Sequence, residues 1–479
     1  MHLDITRHFA DSRLFSCDRP HETARYNRGM PSLVPLPAST RPPRETVLDN
    51  GLKVIVQSMR TAPLVSVWCW YKVGSKDERP GLTGASHWVE HMNFKGTVNI
   101  PRDEMKGLVE RFGGTWNGYT WIDQTAYLET APRAALDRLV FLEAERMHHG
   151  IYDPGECESE RTVIISELQG GDNDPEQLLD TEVTAAVFRA HPYGHPTIGW
   201  LPDLRRMSRD ELYAYYRQYY VPNNATLVIV GDVDEDQALQ VAEARFRSIP
   251  AGPVPPRIVV DEPEQIGERR VRIDRPGTAA YLKLAYRAPA LGDPDFFGFL
   301  VLDAVLTGAK GLNLWSSFRN PPQRSTRLYR VLVDRGLASS VFGALLPTQH
   351  PFVYSVSLAV ADGVPLEVVE EATLRELDIV RAEGITPAEL LRAQHQLRAR
   401  LVFESDSVTN IAHQLGYFET IAGVAQYHEI WNSIAAVTLD DVARASHYLR
   451  AENRTVGWFQ PTVQTEHALR AAATAAEEA

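Results

Sequence analysis

The string His87-Trp88-Val89-Glu90-His91 sets two imidazoles four residues apart. On a helix, at about 100° per residue, they project from one face within about 40° of each other and can grip a single cation. Glu90 lies to the side of that face, near enough to touch a water on the ion without ligating it, which suits a general base. A zinc ion that activates water takes three protein ligands and keeps one position open, because it must lower the water's pKa and polarise the scissile carbonyl. Two histidines are therefore insufficient. The helical stretch 155–169 offers Glu156, Glu158, Glu160 and Glu167 as candidates for the third. Glu160 and Glu167 are seven apart and share one stripe of that helix, so whichever faces the metal brings the other beside it. Glu160 is then placed to orient a histidine or to hold a leaving amine. Taken alone, a string of this kind also arises by chance, and glutamates on surface helices are ordinarily solvated, so the context decides.

The elements that must carry these residues are legible around them. Segments 46–48 and 52–56 flank Asn50-Gly51, which predicts a two-residue hairpin turn. Segment 64–73, rich in Val and Trp, reads as a buried strand broken by Gly74-Ser75, and a helix over 85–94 follows. A helix over 103–112 stops at Gly113-Gly114, and 115–120 and 125–130 read as neighbouring strands. Helices are expected over 132–149, 155–169 and 175–190, a capping box at Ser208 to Glu211 opens another, and 225–230 is a strand ending at Gly231.

A second half repeats this order of elements with few of the same residues. Strands are expected at 270–273 and 281–286, a helix at 295–306, strands at 339–344 and 353–360, and helices over 365–382 and 387–403. Thr386 and Thr438 head capping boxes, and 455–459 closes the half as a strand. The fold class is α+β, two similar α/β halves with mixed, largely antiparallel sheets in a clam-shell arrangement. The expected boundaries are a poorly ordered extension over 1–44, with Met30 as an alternative start, a catalytic half over 45–249, a proline-rich linker over 250–268, a metal-free half over 269–461, and a tail over 462–479.

Composition narrows the partners. A net charge of −13 argues against a nucleic-acid surface, which needs clustered Lys and Arg; such a diffuse charge is ordinary solubility chemistry and does not define the substrate. The longest apolar runs, 63–71 and 299–306, fall short of the roughly 18 residues of a membrane span. Cys17, Cys69 and Cys157 lack the spacing of a disulfide framework or a zinc ribbon, and the first 29 residues lack a signal-peptide core, so a reducing, cytoplasmic setting is expected.

Several longer strings settle the context: Leu48-Asp49-Asn50-Gly51-Leu52, Val73-Gly74-Ser75, the run from Gly84 through His87-Trp88-Val89-Glu90-His91 to Thr97, and Glu160-Arg161-Thr162-Val163-Ile164-Ile165-Ser166-Glu167. With the His91 to Glu167 spacing they resemble the pitrilysin, insulinase and mitochondrial processing peptidase family, whose inverted zinc motif is H-x-x-E-H. The resemblance runs from Glu45 to Pro461. It implies one zinc ion held by His87, His91 and Glu167, with Glu90 activating water and Glu160 as the accessory acid. It also implies that Gly114 to Thr120 is an edge strand onto which an extended substrate adds, with Asn117, Tyr119 and Thr120 as the contact residues. The loop His191-Pro192-Tyr193-Gly194-His195 resembles a structural loop in which arginine commonly replaces His195; His148-His149 at a helix end are expected to be non-functional.

One departure bears on partners. Members of the family that work alone carry an arginine and a tyrosine in the second half; here Leu332-Val333 and Ser339 stand at those positions. Oxyanion donors are worth about 3–4 kcal/mol, so another chain should supply them. The pattern resembles the zinc-carrying subunit of bacterial two-subunit members, which implies a heterodimer with a zinc-less paralogue, a homodimer being the alternative. The expected function is metalloendopeptidase cleavage of peptides or unfolded polypeptides. The competing readings are a non-catalytic binding subunit and a zinc hydrolase of non-peptide amides.

Overall fold

The structure, a computed structural model, describes residues 42–312 and 323–462. The expected N-terminal extension up to residue 41 and the tail from residue 463 lie outside the described residues.

The strands are β1 (Arg44–Val47), β2 (Lys53–Ser58), β3 (Leu64–Tyr71), β4 (Thr115–Thr120), β5 (Thr125–Pro132), β6 (Ala225–Gly231), β7 (Arg269–Pro276), β8 (Tyr281–Ala288), β9 (Ala338–Leu345), β10 (Phe352–Val360) and β11 (Arg454–Thr462). They form two sheets, ordered β1-β2-β6-β3-β5-β4 and β7-β11-β8-β10-β9. The β2–β6 and β7–β11 pairs are parallel and the rest antiparallel. Apart from β1 the two orders match strand for strand, so β9 is the counterpart of β4, each at a sheet edge.

The helices of the first half are α1 (Ala85–Met92), α2 (Arg102–Glu110), α3 (Leu136–His148), α4 (Pro154–Asp172), α5 (Pro175–Val187), α6 (Leu201–Arg206), α7 (Arg209–Tyr219) and α8 (Glu235–Phe246). Those of the second are α9 (Phe296–Leu306), α10 (Leu366–Glu383), α11 (Pro387–Phe403), α12 (Val408–Ile421), α13 (Val424–Ala436) and α14 (Leu439–Ser446). Capping boxes start α7, α11 and α14 where Ser208, Thr386 and Thr438 predict them. Among the described residues no helix is long and apolar enough to cross a membrane.

Two features differ from expectation. The β1–β2 hairpin is present, but Val47 pairs with Lys53 and Leu48 bonds Leu52, leaving a three-residue loop in which Gly51 takes φ +86°. Asn50 serves this loop differently from a tight turn, its amide bonding the carbonyls of Phe246 and Ile249 at 2.8 and 3.0 Å. Second, α6, α8, α12 and α13 occupy stretches in which no helix is expected. Nearly every α12 side chain is buried, so it lacks the one-sided apolar stripe that announces a surface helix.

The halves are interleaved. Strand β3 is buried on both faces: Val65, Val67, Cys69 and Tyr71 join the first-half core, whereas Trp68 and Trp70 point at α12. In return α5 lies on β7, β8 and β11, with Leu179 and Val183 packed near Ala285, Val353 and Phe459. Polar contacts follow the same seam. Asp123 accepts from the Tyr193 hydroxyl (2.6 Å) and from the Gln349 amide (3.0 Å), and Thr130 meets Thr409 at 2.9 Å. Residues 250–268 run between α8 and β7 without helix or strand, and Glu262 accepts the backbone N–H groups of Arg189, Ala190 and His191.

Candidate metal centre

The site is built where α1 crosses α4. Arg161 on α4 stacks over the buried Trp88 of α1, its guanidinium carbon 4.7 Å from the ring centroid, and also bonds the Leu204 carbonyl. This contact sets the register between the helix bearing His87 and His91 and the helix bearing Glu160 and Glu167. Asp153 caps α4, accepting from Gly155 and Glu156, with Pro154 in the first turn.

The His87 Nε2 lies 3.8 Å from Glu167 Oε1, and His91 Nε2 lies 3.7 Å from Glu167 Oε2. The three ligand atoms all fall within 4.8 Å of one another. Ligands about 2.0–2.1 Å from a tetrahedral zinc stand roughly 3.4 Å apart, and the two imidazole-to-carboxylate distances lie within a few tenths of an ångström of that spacing. The donor set, two imidazoles and one carboxylate, is that of a water-activating zinc site, and the half-exposed Glu167 leaves an open side for a fourth ligand. Burial above all, then the His91 charge, pushes His87 down to about 3, so it presents a neutral, ligating imidazole.

His91 is oriented from behind. Its Nδ1 meets Glu160 Oε2 at 3.0 Å, and the other Glu160 oxygen pairs with Lys95. Burial works to raise the Glu160 carboxyl, but the bonds from Lys95 and His91 outweigh it and hold the group below the ordinary carboxylate range. Of the two roles open to Glu160, this contact is the histidine-orienting one.

Glu90 is buried beside the ligands and accepts a 2.7 Å bond from the Thr120 hydroxyl. Burial raises its carboxyl to about 7, with the Thr120 bond opposing and the Glu167 charge adding. A cation between the imidazoles would favour its ionised form. Thr120 thus sits against the candidate base. Tyr119, one residue earlier, points to the other sheet face, its hydroxyl 2.9 Å from His413 Nε2 on α12. Asn117 is exposed on β4, whose pairing with β5 matches Asn117 to Leu128 and whose other edge carries no strand among the described residues.

Other sequence-singled residues lie apart from the metal group. His195 bonds Glu78 at 3.0 Å, His149 pairs with Glu145, and His148 contacts Arg217. Ser339, the second residue of β9, bonds the Ala359 carbonyl, while Leu332 is buried. Sequence reasoning missed Glu78, Lys95 and the Thr120 partner of Glu90; the adjacency of Lys95 to the H-x-x-E-H helix was the one available signal.

Comparison with known proteins identifies the family. Residues 53–200 match the description "Insulinase (Peptidase family M16)", and residues 206–397 match "Peptidase M16 inactive domain". The chain is 28% identical over 414 residues to the mitochondrial-processing peptidase subunit beta of Lentinula edodes, covering 84% of this chain and 87% of that one. It is 28% identical over 437 residues to the zinc protease PqqE of Helicobacter pylori, covering 88% and 93%. The crystal structure of a protease from Helicobacter pylori superposes with a TM-score of 0.82 at 25% identity, covering 88% of this chain and 99% of that one. With both halves matched and the H-x-x-E-H helix facing a glutamate on a second helix, the chain belongs to the insulinase, or M16, family of peptidases.

Proposed function

We propose that this chain is a zinc-dependent endopeptidase in which His87, His91 and Glu167 hold the ion and Glu90 is the catalytic base. The observation that carries the reading is the convergence of His87, His91 and Glu167 from two helices, each imidazole Nε2 lying 3.7–3.8 Å from a Glu167 oxygen, with the far nitrogen of His91 held by Glu160. When bound, zinc supplies an acidified water and polarises the scissile carbonyl. Glu90, enclosed and bonded to Thr120, takes the water's proton and passes it to the leaving amine. Glu160 and Lys95 keep His91 in its ligating orientation.

The substrate is an extended segment of peptide or unfolded polypeptide. The open edge of β4, with Asn117 exposed and Thr120 against Glu90, supports strand addition that delivers a peptide bond beside the metal group. In this reading residues 45–249 are the metal-carrying half, 269–461 the metal-free half, and 250–268 the connection between them. Because Ser339 and Leu332-Val333 offer neither phenol nor guanidinium, a zinc-less paralogue completes the oxyanion donors, and the working form is a heterodimer. The same residues favour the second reading, a binding subunit without turnover.

The test is zinc analysis and peptide cleavage for wild type and Glu90→Gln, each with and without a co-expressed paralogue. The expected outcome is retained zinc in both, with turnover falling about 10²–10⁴-fold in the variant. Wild type that binds zinc yet cleaves nothing with any paralogue supports the binding subunit instead, and full activity as a lone monomer removes the heterodimer.

A further inference from the structure

The first turn of α1 lacks a capping side chain. Its N-cap is Gly84, at φ +88°, yet the N–H groups at its start are not left to solvent. Glu78, six residues upstream with a side chain of 0% exposure, accepts the Gly84 N–H at 2.7 Å and the Ser86 N–H at 2.7 Å. Ser86 directly precedes His87. Behind Glu78, His195 Nε2 lies 3.0 Å from the same oxygen that takes the Gly84 bond. A carboxylate at a helix N-terminus is favoured by the helix dipole as well as by the bonds themselves.

The loop around this carboxylate has little room to move. Asp203 accepts the Gly81 and Thr83 N–H groups and the Thr83 hydroxyl, at 3.1, 3.2 and 2.7 Å, and the Trp200 N–H donates to Thr83 Oγ1 at 2.9 Å. The backbones of Gly84 and Ile198 approach so closely that a Cβ on Gly84 would lie 2.4 Å from the Ile198 carbonyl oxygen. Segments 78–84 and 195–200 therefore form one rigid seat, and Glu78 is the charged contact between that seat and α1.

From this geometry we infer that Glu78, backed by His195, is a positioning residue that aims α1 and thereby sets how tightly His87 and His91 hold a metal ion. The inference rests on the zinc reading above, since neither residue reaches the ligands. Loss of partners that orient metal ligands lowers affinity by about 10–100-fold, and an aimed helix acts on two ligands together.

The test uses the full chain, zinc and a chromophoric chelator, with thermal unfolding of each variant run beside it. Glu78→Gln is expected to bind zinc about 10–100-fold more weakly while unfolding cooperatively. His195→Gln should show a smaller loss in the same direction, and His195→Arg, which keeps a donor toward Glu78, should restore wild-type affinity. A folded Glu78→Gln whose affinity stays within about twofold of wild type overturns the inference, because a purely structural role lowers the midpoint and leaves the folded fraction's affinity untouched. Should Glu78→Gln fail to fold, His195→Gln decides by the same criterion. Wild type that binds no zinc removes the function proposed above; hydrogen exchange then decides the positioning claim, which stands if α1 amides exchange faster in the variant and falls if they do not.

Discussion

Replacing Arg146 by methionine should destabilise the chain in a pH-dependent way. Arg146 on α3 has no exposed side-chain surface; its Nη1 bonds Glu129 at 2.6 Å and also pairs with Glu143, both carboxylates being equally enclosed. The rings of Phe94, Trp116 and Tyr127 surround the guanidinium carbon at 4.9, 5.3 and 5.2 Å. Burial above all, then the Glu143 charge, pushes Glu129 well above the ordinary carboxylate range against the pull of Arg146. Removing the cation leaves two acids competing in an apolar enclosure, and breaking a buried pair in this way costs about 3–5 kcal/mol.

The sign follows from proton binding. A carboxyl raised in the fold keeps a proton that the unfolded chain has lost, so stability falls as pH climbs from the unfolded value toward the folded one. Each extra retained proton is worth about 1.36 kcal/mol per pH unit, so from about pH 6 to about pH 8 the variant should lose up to about 2.7 kcal/mol more than wild type does. Burial-lowered histidines such as His413 respond in the opposite direction, but they are common to both proteins and cancel in the difference. Urea unfolding of both proteins at the two pH values measures this difference. An equal stability gap at both would refute the reasoning, and adding Glu143→Gln to Arg146→Met should narrow the gap most at the higher pH.

Gly416→Ala should lower the thermal midpoint. A Cβ there would stand 1.9 Å from Trp70 Nε1, on an indole that is wholly buried and stacked on Trp68 at 5.4 Å. Overpacking of about 1–3 kcal/mol or more should exceed the helix-propensity gain of about 1 kcal/mol, and a raised midpoint would contradict it. Zinc at about 100 times its Kd should add about 2.7 kcal/mol of stability, reversed by a chelator. His91→Ala should abolish that shift in differential scanning fluorimetry; an undiminished shift would place the ion elsewhere.

What could be read from the sequence follows the range of the interactions. The metal helix, the glutamate helix and the strands around them are local patterns, and Glu160 beside Glu167 is a consequence of seven-residue spacing on one helix. Thr120 reads as a strand residue beside the substrate; its bond to Glu90 depends on β4 lying over α1, which no local pattern encodes. Glu78 likewise reads as a loop acid until folding brings it back to the start of α1. Helix α12 went unseen for the opposite reason, since burial on all sides erases the periodicity that marks a helix.

The exchange of α5 and α12 between the sheets bears on how a polypeptide gains access. A hinge at 250–268 would have to strip Trp68 and Trp70 of one cover and Ala285 and Phe459 of another, exposing two apolar faces in a single stroke. Severing that segment should leave two fragments that stay clasped, and either fragment produced alone should aggregate. For the polypeptide substrate proposed above, this interleaving predicts entry along the open edge of β4 rather than by a swing of the halves.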